Sequence, residues 1–242
     1  MNITTIPNNC THMVVKMTKN FDSAYMFYLL AKKIAEDDSL NPVVLPALIS
    51  DSTHEAIEAR VIGLIVEYMK AAFPNVNIEE THQVRYDNTV DKNRSLRDSL
   101  VEQHQNSGVD MAQGWLSTIP DDSIVVMYNG DCEPLANENF DAMEAHFGRS
   151  HDNIRALKGR PRINEMPWKS KGTTFPIYHS FINENMTRLE VYGEMKELGL
   201  NNLIDNTISC SMADAEATNN YTQPCGSCYY CDEKAWIKLQ HA

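Results

Sequence analysis

Short apolar runs alternate with longer stretches of helical periodicity through the first half of the chain. His12 to Met17 (HMVVKM) is an apolar run that ends at a polar segment, Thr18 to Asn20. From Ser23 onward Ala24, Phe27, Leu30 or Ala31, and Ile34 share one face, which predicts an amphipathic helix. Asp37 to Asn41 is a polar connection, and Val43 to Ile49 (VVLPALI) predicts a second buried strand. Pro46 is at odds with that strand, because proline cannot donate to a ladder and prefers an edge or a bulge. Ser52 and Glu55 form an S-x-x-E capping box. Behind it Ile57, Val61, Leu64, Ile65, Tyr68 and Met69 recur at helical spacing up to Phe73-Pro74. Val76 to Thr81 alternates and predicts a third strand. This order of strands and helices belongs to a parallel sheet with crossover helices.

Farther along, Asn93 to Leu116 reads as a polar helix interrupted at Gly108 and Gly114. Ser123 to Tyr128 (SIVVMY) predicts the next buried strand, followed directly by Asn129-Gly130-Asp131. Asn137 to Phe147 predicts a helix that stops near Gly148. Thr187 to Leu198 is amphipathic through Leu189, Tyr192, Met195 and Leu198, with Gly199 in place to end it.

Charge narrows the choice of partners. The 242 residues carry 21 Lys plus Arg against 33 Asp plus Glu, a net charge of −12. That balance argues against broad binding to nucleic acid or to an anionic membrane. No apolar run approaches the ~20 residues that span a bilayer. The start, MNITTIPNNC, lacks a charged segment followed by an apolar one, so a secretory signal is not expected and a cytoplasmic location is. Arg149 to Lys171 departs from the rest: Arg149, Arg155, Lys158, Arg160, Arg162, Lys169 and Lys171 face only Asp152 and Glu165. It reads either as a solvated loop or as a basic lip over an anionic substrate such as a nucleotide.

Cys10 and Cys132 stand alone, whereas Cys210, Cys225, Cys228 and Cys231 crowd the C-terminal end as C-x14-C-x2-C-x2-C. In a reducing compartment such crowding points to metal rather than disulfides. Four thiolates suit a tetrahedral, closed and therefore structural Zn²⁺ site. Free thiols or an iron–sulfur cluster are the alternatives. Gly226 permits the positive φ that a tight knuckle needs. A second signal is Asp22-Ser23, at the junction of the first strand and first helix. Ligands dock outside the carboxyl ends of parallel strands, and a helix N-terminus favours phosphate. Ser23 can donate to a phosphate oxygen there and Asp22 can hold a metal, or the pair simply caps the helix.

The ending TISC…QPCGSCYYCDEKAWI resembles the zinc segment of the 7-cyano-7-deazaguanine synthase family, nitrile-forming enzymes of queuosine precursor biosynthesis. Asn185 to Cys210, Met127 to Phe147 with its Asp131-Cys132 pair, and Leu48 to Glu55 are similar to other parts of that family. The resemblance implies an α/β, doubly wound, mostly parallel sheet of the adenine nucleotide alpha hydrolase-like, PP-loop type. It implies a PP-loop-like part over 1–184 and a C-terminal helix with the zinc segment over 185–242, packed on the same domain. The family loop S-G-G-x-D-S falls on Thr18, Lys19, Asn20, Phe21, Asp22 and Ser23. Thr18, Lys19, Asn20, Asp22 and Ser23 are thereby implied to bind ATP with Mg²⁺. Asp22, Ser23 and Asp131 are implied to be catalytic. Both glycines are replaced, which removes close backbone access to pyrophosphate. Lys19 can instead offer its ammonium to an anion, and lost and altered ATP chemistry both stay open.

The implied substrate is 7-carboxy-7-deazaguanine, in a pathway serving tRNA or DNA. Phe175, Tyr178, Tyr229, Tyr230 and Trp168 are candidates to stack on the base, or else core residues. Three functions follow: an ATP-dependent synthase-like ligase, a descendant that decarboxylates the base without ATP, and a non-catalytic binding protein. Decarboxylation needs a proton donor, for which His54, His82, His151 and His179 are candidates. The expected partner is the small-molecule base, with no membrane and no direct nucleic acid. A homodimer is compatible with this reading.

Overall fold

The computed structural model describes residues 5–51, 55–86, 118–151, 165–168, 173–210 and 224–241. In chain order the elements are β1 (His12–Met17), α1 (Phe21–Glu36), β2 (Val43–Asp51), α2 (Glu55–Ala72), β3 (His82–Tyr86), β4 (Val125–Asn129) and α3 (Asn137–Phe147). They continue as β5 (Glu165–Trp168), β6 (Thr173–Tyr178), α4 (Ser180–Asn183), α5 (Arg188–Glu197), α6 (Asn201–Asp205) and α7 (Tyr229–Gln240).

The strands form one sheet in the order β3-β2-β1-β4-β6-β5. The first five are parallel, and β5 runs antiparallel along β6 at the edge. Central β1 is buried on both faces, as parallel strands require, which explains its near-continuous apolar run. Met13, Val15 and Met17 join a large cluster that extends from Ile6 to Ile237 and takes in the buried faces of α1, α2, α3, α5 and α7. Val14 points the other way, into a smaller cluster with Leu45, Ala47, Ile119, Val125, Met127, Phe175 and Ile177. Among the described residues no helix contributes to that smaller cluster. The helix expected over 93–116 lies outside the described residues, as does Ser52 of the capping box. Among the described residues no helix is long and apolar enough to cross a membrane.

The third strand is His82–Tyr86 rather than Val76 to Thr81. Within the expected stretch Ile78 makes an isolated bridge to Val44. Val44 donates to Asn77 O at 2.8 Å and accepts from Glu79 N at 3.0 Å, so this side of β2 faces β3. Pro46, two residues on, faces the same way. Its missing donor therefore falls between the Val44 bridge and the first β3 pair, Ala47 with His82. That gap is how an interior strand accommodates a proline. Helix α1 begins at Phe21, two residues earlier than periodicity indicates, because Asn20 is its N-cap residue. Leu64 is exposed despite its helical register. In α5, Thr187 and Glu190 make a reciprocal capping box. Gly148, Gly199 and Gly226 all have left-handed φ, near 63°, 71° and 71°.

Candidate functional site

The chain runs outward from β1 through β2 to β3, then returns to place β4 on the other side of β1. The β1 and β4 ends are thus the switch point of the sheet, where open α/β sheets bind ligands. Thr18 to Ser23 follow β1, and Gly130 to Cys132 follow β4. The two loops touch at backbone distance. A Cβ on Gly130 would lie 2.6 Å from Ser23 Cα, 2.8 Å from Asp22 O and 2.9 Å from Ser23 N. Glycine at 130 is therefore a requirement of space, and it brings Asp22 and Asp131 to one place. Asn129 fixes the second loop by donating from Nδ2 to Asp131 Oδ2 at 2.7 Å.

The β1 loop satisfies itself. Ser23 Oγ accepts from Thr18 N at 3.1 Å. Its single proton has Thr18 O at 2.9 Å and Asn20 O at 3.1 Å as acceptors. Asn20 N donates to Thr18 Oγ1 at 3.3 Å, and Ser23 N donates to Asp22 Oδ1 at 2.9 Å. The N–H groups of Thr18, Asn20 and Ser23 are thus bonded within the loop instead of facing a phosphate. Lys19 Nζ lies 2.8 Å from Glu58 Oε1 on α2, and both side chains are largely buried. Its ammonium is committed to that carboxylate. These residues do not make a ready phosphate cradle, so they do not fit ATP as an intact glycine loop would.

Arg188, at the start of α5, reaches the same region. It is buried, with its guanidinium 4.7 Å from the Phe21 ring centroid. Nε lies 3.2 Å from Asp22 Oδ2, and Nη1 donates to Glu233 Oε2. Tyr229 OH donates to the other oxygen of Glu233 at 2.6 Å. Burial raises the Asp22 carboxyl above the usual carboxylate range; Arg188 opposes that shift, and Asp131 and Glu233 add to it. Burial likewise pushes the Cys132 thiol well up, with the Asp22 charge adding to it. For Arg188 burial works against the cation, but Glu233 and Asp22 outweigh it and the guanidinium stays charged. A carboxyl that holds its proton more readily than usual, at a strand end and beside a second carboxyl, is suited to proton transfer.

The four C-terminal cysteines converge, with Sγ atoms all within 4.8 Å of one another. Cys225 and Cys231 Sγ are 3.8 Å apart, and Cys228 and Cys210 Sγ 3.9 Å apart. A disulfide would bring them to ~2.05 Å. A tetrahedron with ~2.3 Å metal–sulfur bonds has edges of ~3.8 Å, so the set fits one tetrahedral metal ion. The N–H groups of Ser227 and Cys228 point at Cys225 Sγ at 3.5 and 3.3 Å, and Cys225 N at Cys210 Sγ at 3.4 Å. Such donors stabilise thiolate charge. Gly226 takes the left-handed φ that this turn needs. Asp232, buried beside Cys231, is held by Arg149 Nη1 at 2.8 Å and His151 Nε2 at 3.0 Å. Arg149 also donates to Gly226 O at 3.2 Å. Ile208 N donates to Lys19 O at 2.8 Å, which ties the cysteine segment to the β1 loop.

The structure brings Thr18, Lys19, Asn20, Asp22, Ser23 and Asp131 to the switch point, and the four cysteines to a separate centre. The stacking candidates are dispersed. Phe175 is in the smaller core cluster, Tyr178 stacks on Tyr128, and Tyr229 stacks on Phe140. Tyr230 lies 5.9 Å from the Arg188 guanidinium. His82 opens the edge strand β3 beside Glu79, level with Ala47, Lys16 and Asn129 but two strands away from β1, and His151 is bound to Asp232. Buried His179 follows β6. His54, the Trp168 side chain and the basic residues of Arg149 to Lys171 other than Arg149 lie outside the described residues.

Arg188 and Glu233 escaped sequence reasoning, yet both leave a trace in it. Arg188 shares a face with Val191, Tyr192 and Met195 at i+3, i+4 and i+7, all buried. Glu233 stands between Tyr229 and Ile237 on the buried stripe of α7. A charge on an apolar stripe predicts a buried partner. No protein-family model and no curated protein matches the chain.

Proposed function

We propose that the protein processes a carboxylated 7-deazaguanine base at the β1–β4 switch point, and that it removes the carboxyl group without ATP. The substrate class rests on the resemblance of the cysteine segment and of the loop holding Asp131 and Cys132. The choice of reaction rests on one observation: Asp22, a largely buried carboxyl inclined to hold a proton, stands at the switch point while the loop after β1 is satisfied by its own side chains.

In this reading Asp22 gives its proton to the ring carbon that bears the carboxylate. The carbon–carboxyl bond then breaks, its electron pair returns to the ring, and carbon dioxide leaves. Asp22 regains a proton from water. Asp131 and Asn129 border the base and can pair with its polar edge. The four-cysteine centre holds zinc as a structural ion, since a closed set of four thiolates leaves no position for substrate. A second reading, ATP-dependent nitrile formation, is favoured by the Asp22 and Asp131 pair, because two adjacent carboxyls can hold Mg²⁺.

The deciding experiment incubates the purified protein with 7-carboxy-7-deazaguanine, with and without ATP, Mg²⁺ and ammonia, and reads products by mass. Loss of carbon dioxide without ATP is the expected result. A nitrile formed only with ATP and ammonia supports the second reading. Unchanged substrate in every arm overturns both.

A further inference from the structure

Each edge of the Arg188 guanidinium meets a different part of the molecule. Nη1 reaches Glu233, which is itself pinned by Tyr229. Nη2 donates to Ser209 Oγ at 3.4 Å. Ser209 precedes Cys210, and its carbonyl accepts from Cys231 Sγ at 3.5 Å. Phe21 and Tyr230 flank the group at 4.7 and 5.9 Å. These contacts anchor the cation to the cysteine segment and to the start of α1. The remaining edge, Nε, is buried and makes no aligned hydrogen bond, yet it stands 3.2 Å from Asp22 Oδ2. Asp22 Oδ1 accepts from Ser23 N, while Oδ2 is held by the charge of a cation whose place is fixed by other groups.

We propose that Arg188 is the positioning residue of the switch point: braced by Glu233 and Ser209, it holds the Asp22 carboxyl beside Asp131 and sets the balance between its protonated and ionised forms. The proposal deepens the reading of Asp22 as proton donor and rests on it. Among the described residues the charged and titratable groups facing Asp22 are Arg188, Asp131 and Glu233, with Cys132 close by. Burial and the two carboxylates favour a held proton, and a proton donor needs that. Arg188 favours the ion that remains after transfer, and turnover needs that too. Without Arg188 the Asp22 carboxyl would hold its proton more readily, and without Glu233 it would give the proton up more readily. The shared guanidinium places Asp22 between these limits.

The test is a carbon-13 NMR titration of the Asp22 carboxyl in the metal-loaded, full-length protein, with the signal assigned by Asp22→Asn. Arg188→Gln raises the Asp22 titration midpoint by ~1–3 pH units, the effect of removing an opposite charge at this range. Glu233→Gln lowers it, because a repelling charge is lost and Arg188 is released toward Asp22. Opposite signs from two sides of one contact are what a merely structural arginine would not produce. Should Arg188→Gln fail to fold, Glu233→Gln carries the test alone, since glutamine is isosteric and keeps one carbonyl oxygen for one of the two donors, Tyr229 OH or Arg188 Nη1. An unchanged or raised Asp22 midpoint in Glu233→Gln overturns the proposal. The titration uses no substrate, so it is read independently of whether the carboxylated base is turned over. Where the base is turned over, the pH–rate profile moves with the same two signs.

Discussion

Replacing Gly130 by alanine tests the close approach on which the switch point depends. Gly130 is not among the glycines with left-handed φ, so the substitution carries no backbone strain of its own. The cost is steric. The new Cβ would stand 2.6 Å from Ser23 Cα, 0.8 Å inside the 3.4 Å at which ordinary contact begins, and its other near neighbours are also backbone atoms. No flexible side chain can turn aside; α1 and the β4 loop must separate. Overpacking of this kind costs ~1–3 kcal/mol. For a chain of this size each kcal/mol lowers the melting temperature by ~2–4 °C, so a fall of ~2–12 °C is expected. Separation also moves Asp22 from Asp131 by nearly 1 Å, which costs on the order of 100-fold in rate for a positioned group. Gly63 in α2 is the control, since nothing lies within 4 Å of its Cβ. Gly63→Ala stabilises by ~0.5–1 kcal/mol through helix propensity. Thermal melts of both variants beside the parent, with product formation for Gly130→Ala, complete the comparison. A Gly130→Ala protein as stable and as active as its parent would refute the close approach.

Three further outcomes are expected. Protein purified without added metal carries one zinc per chain, and chelation or Cys228→Ser melts the C-terminal segment, because ligand binding there is folding free energy; metal analysis showing iron with visible absorbance, or no metal, defeats this. Calorimetric titration with Mg-ATP shows weak binding at best, while Lys19→Gly with Asn20→Gly loses more than the ~0.5–1 kcal/mol that each glycine costs, because Glu58 is left buried without its cation; tight ATP binding by the parent with pyrophosphate release contradicts it. Lys234, whose ammonium is bonded to Thr207 O at 2.6 Å and Thr207 Oγ1 at 3.1 Å, is lowered by burial to about 8. Its charged form is disfavoured in the folded state, so the penalty is complete below pH 8 and fades as pH rises toward the ordinary lysine value of about 10.5. Denaturant midpoints therefore rise across that window in the parent relative to Lys234→Met, and parallel curves for the two proteins would argue against it.

Much of the scaffold was open to reading from local pattern. The apolar run His12–Met17 is β1, and Asn137–Phe147 is α3 with Gly148 left-handed behind it. The x2 spacings of Cys225, Cys228 and Cys231 lead to a converged cluster, and Gly226 takes the backbone conformation assigned to it. Each of these depends on residues within a turn or two of one another, where periodicity and spacing act directly. Where a strand begins is less local. β3 starts at His82 because of how Val44 and Pro46 face it, and nothing in Val76 to Thr81 itself reports that.

The site's working relations belong to the tertiary structure. Asn129-Gly130-Asp131 reads as a turn, yet Gly130 is needed because β1 and β4 are neighbours and α1 passes against the β4 loop. Lys19 reads as a cation free for an anion, yet α2 delivers Glu58 to it. Asp22, Arg188 and Glu233 come from the beginning, the last third and the end of the chain, and each alone is an ordinary charged residue. The sheet order and the anchoring of α7 by its cysteines bring them within ion-pair distance. Residue patterns encode which face of an element is buried; which faces then meet depends on how the chain crosses over, and electrostatics at short range in a buried place does the rest.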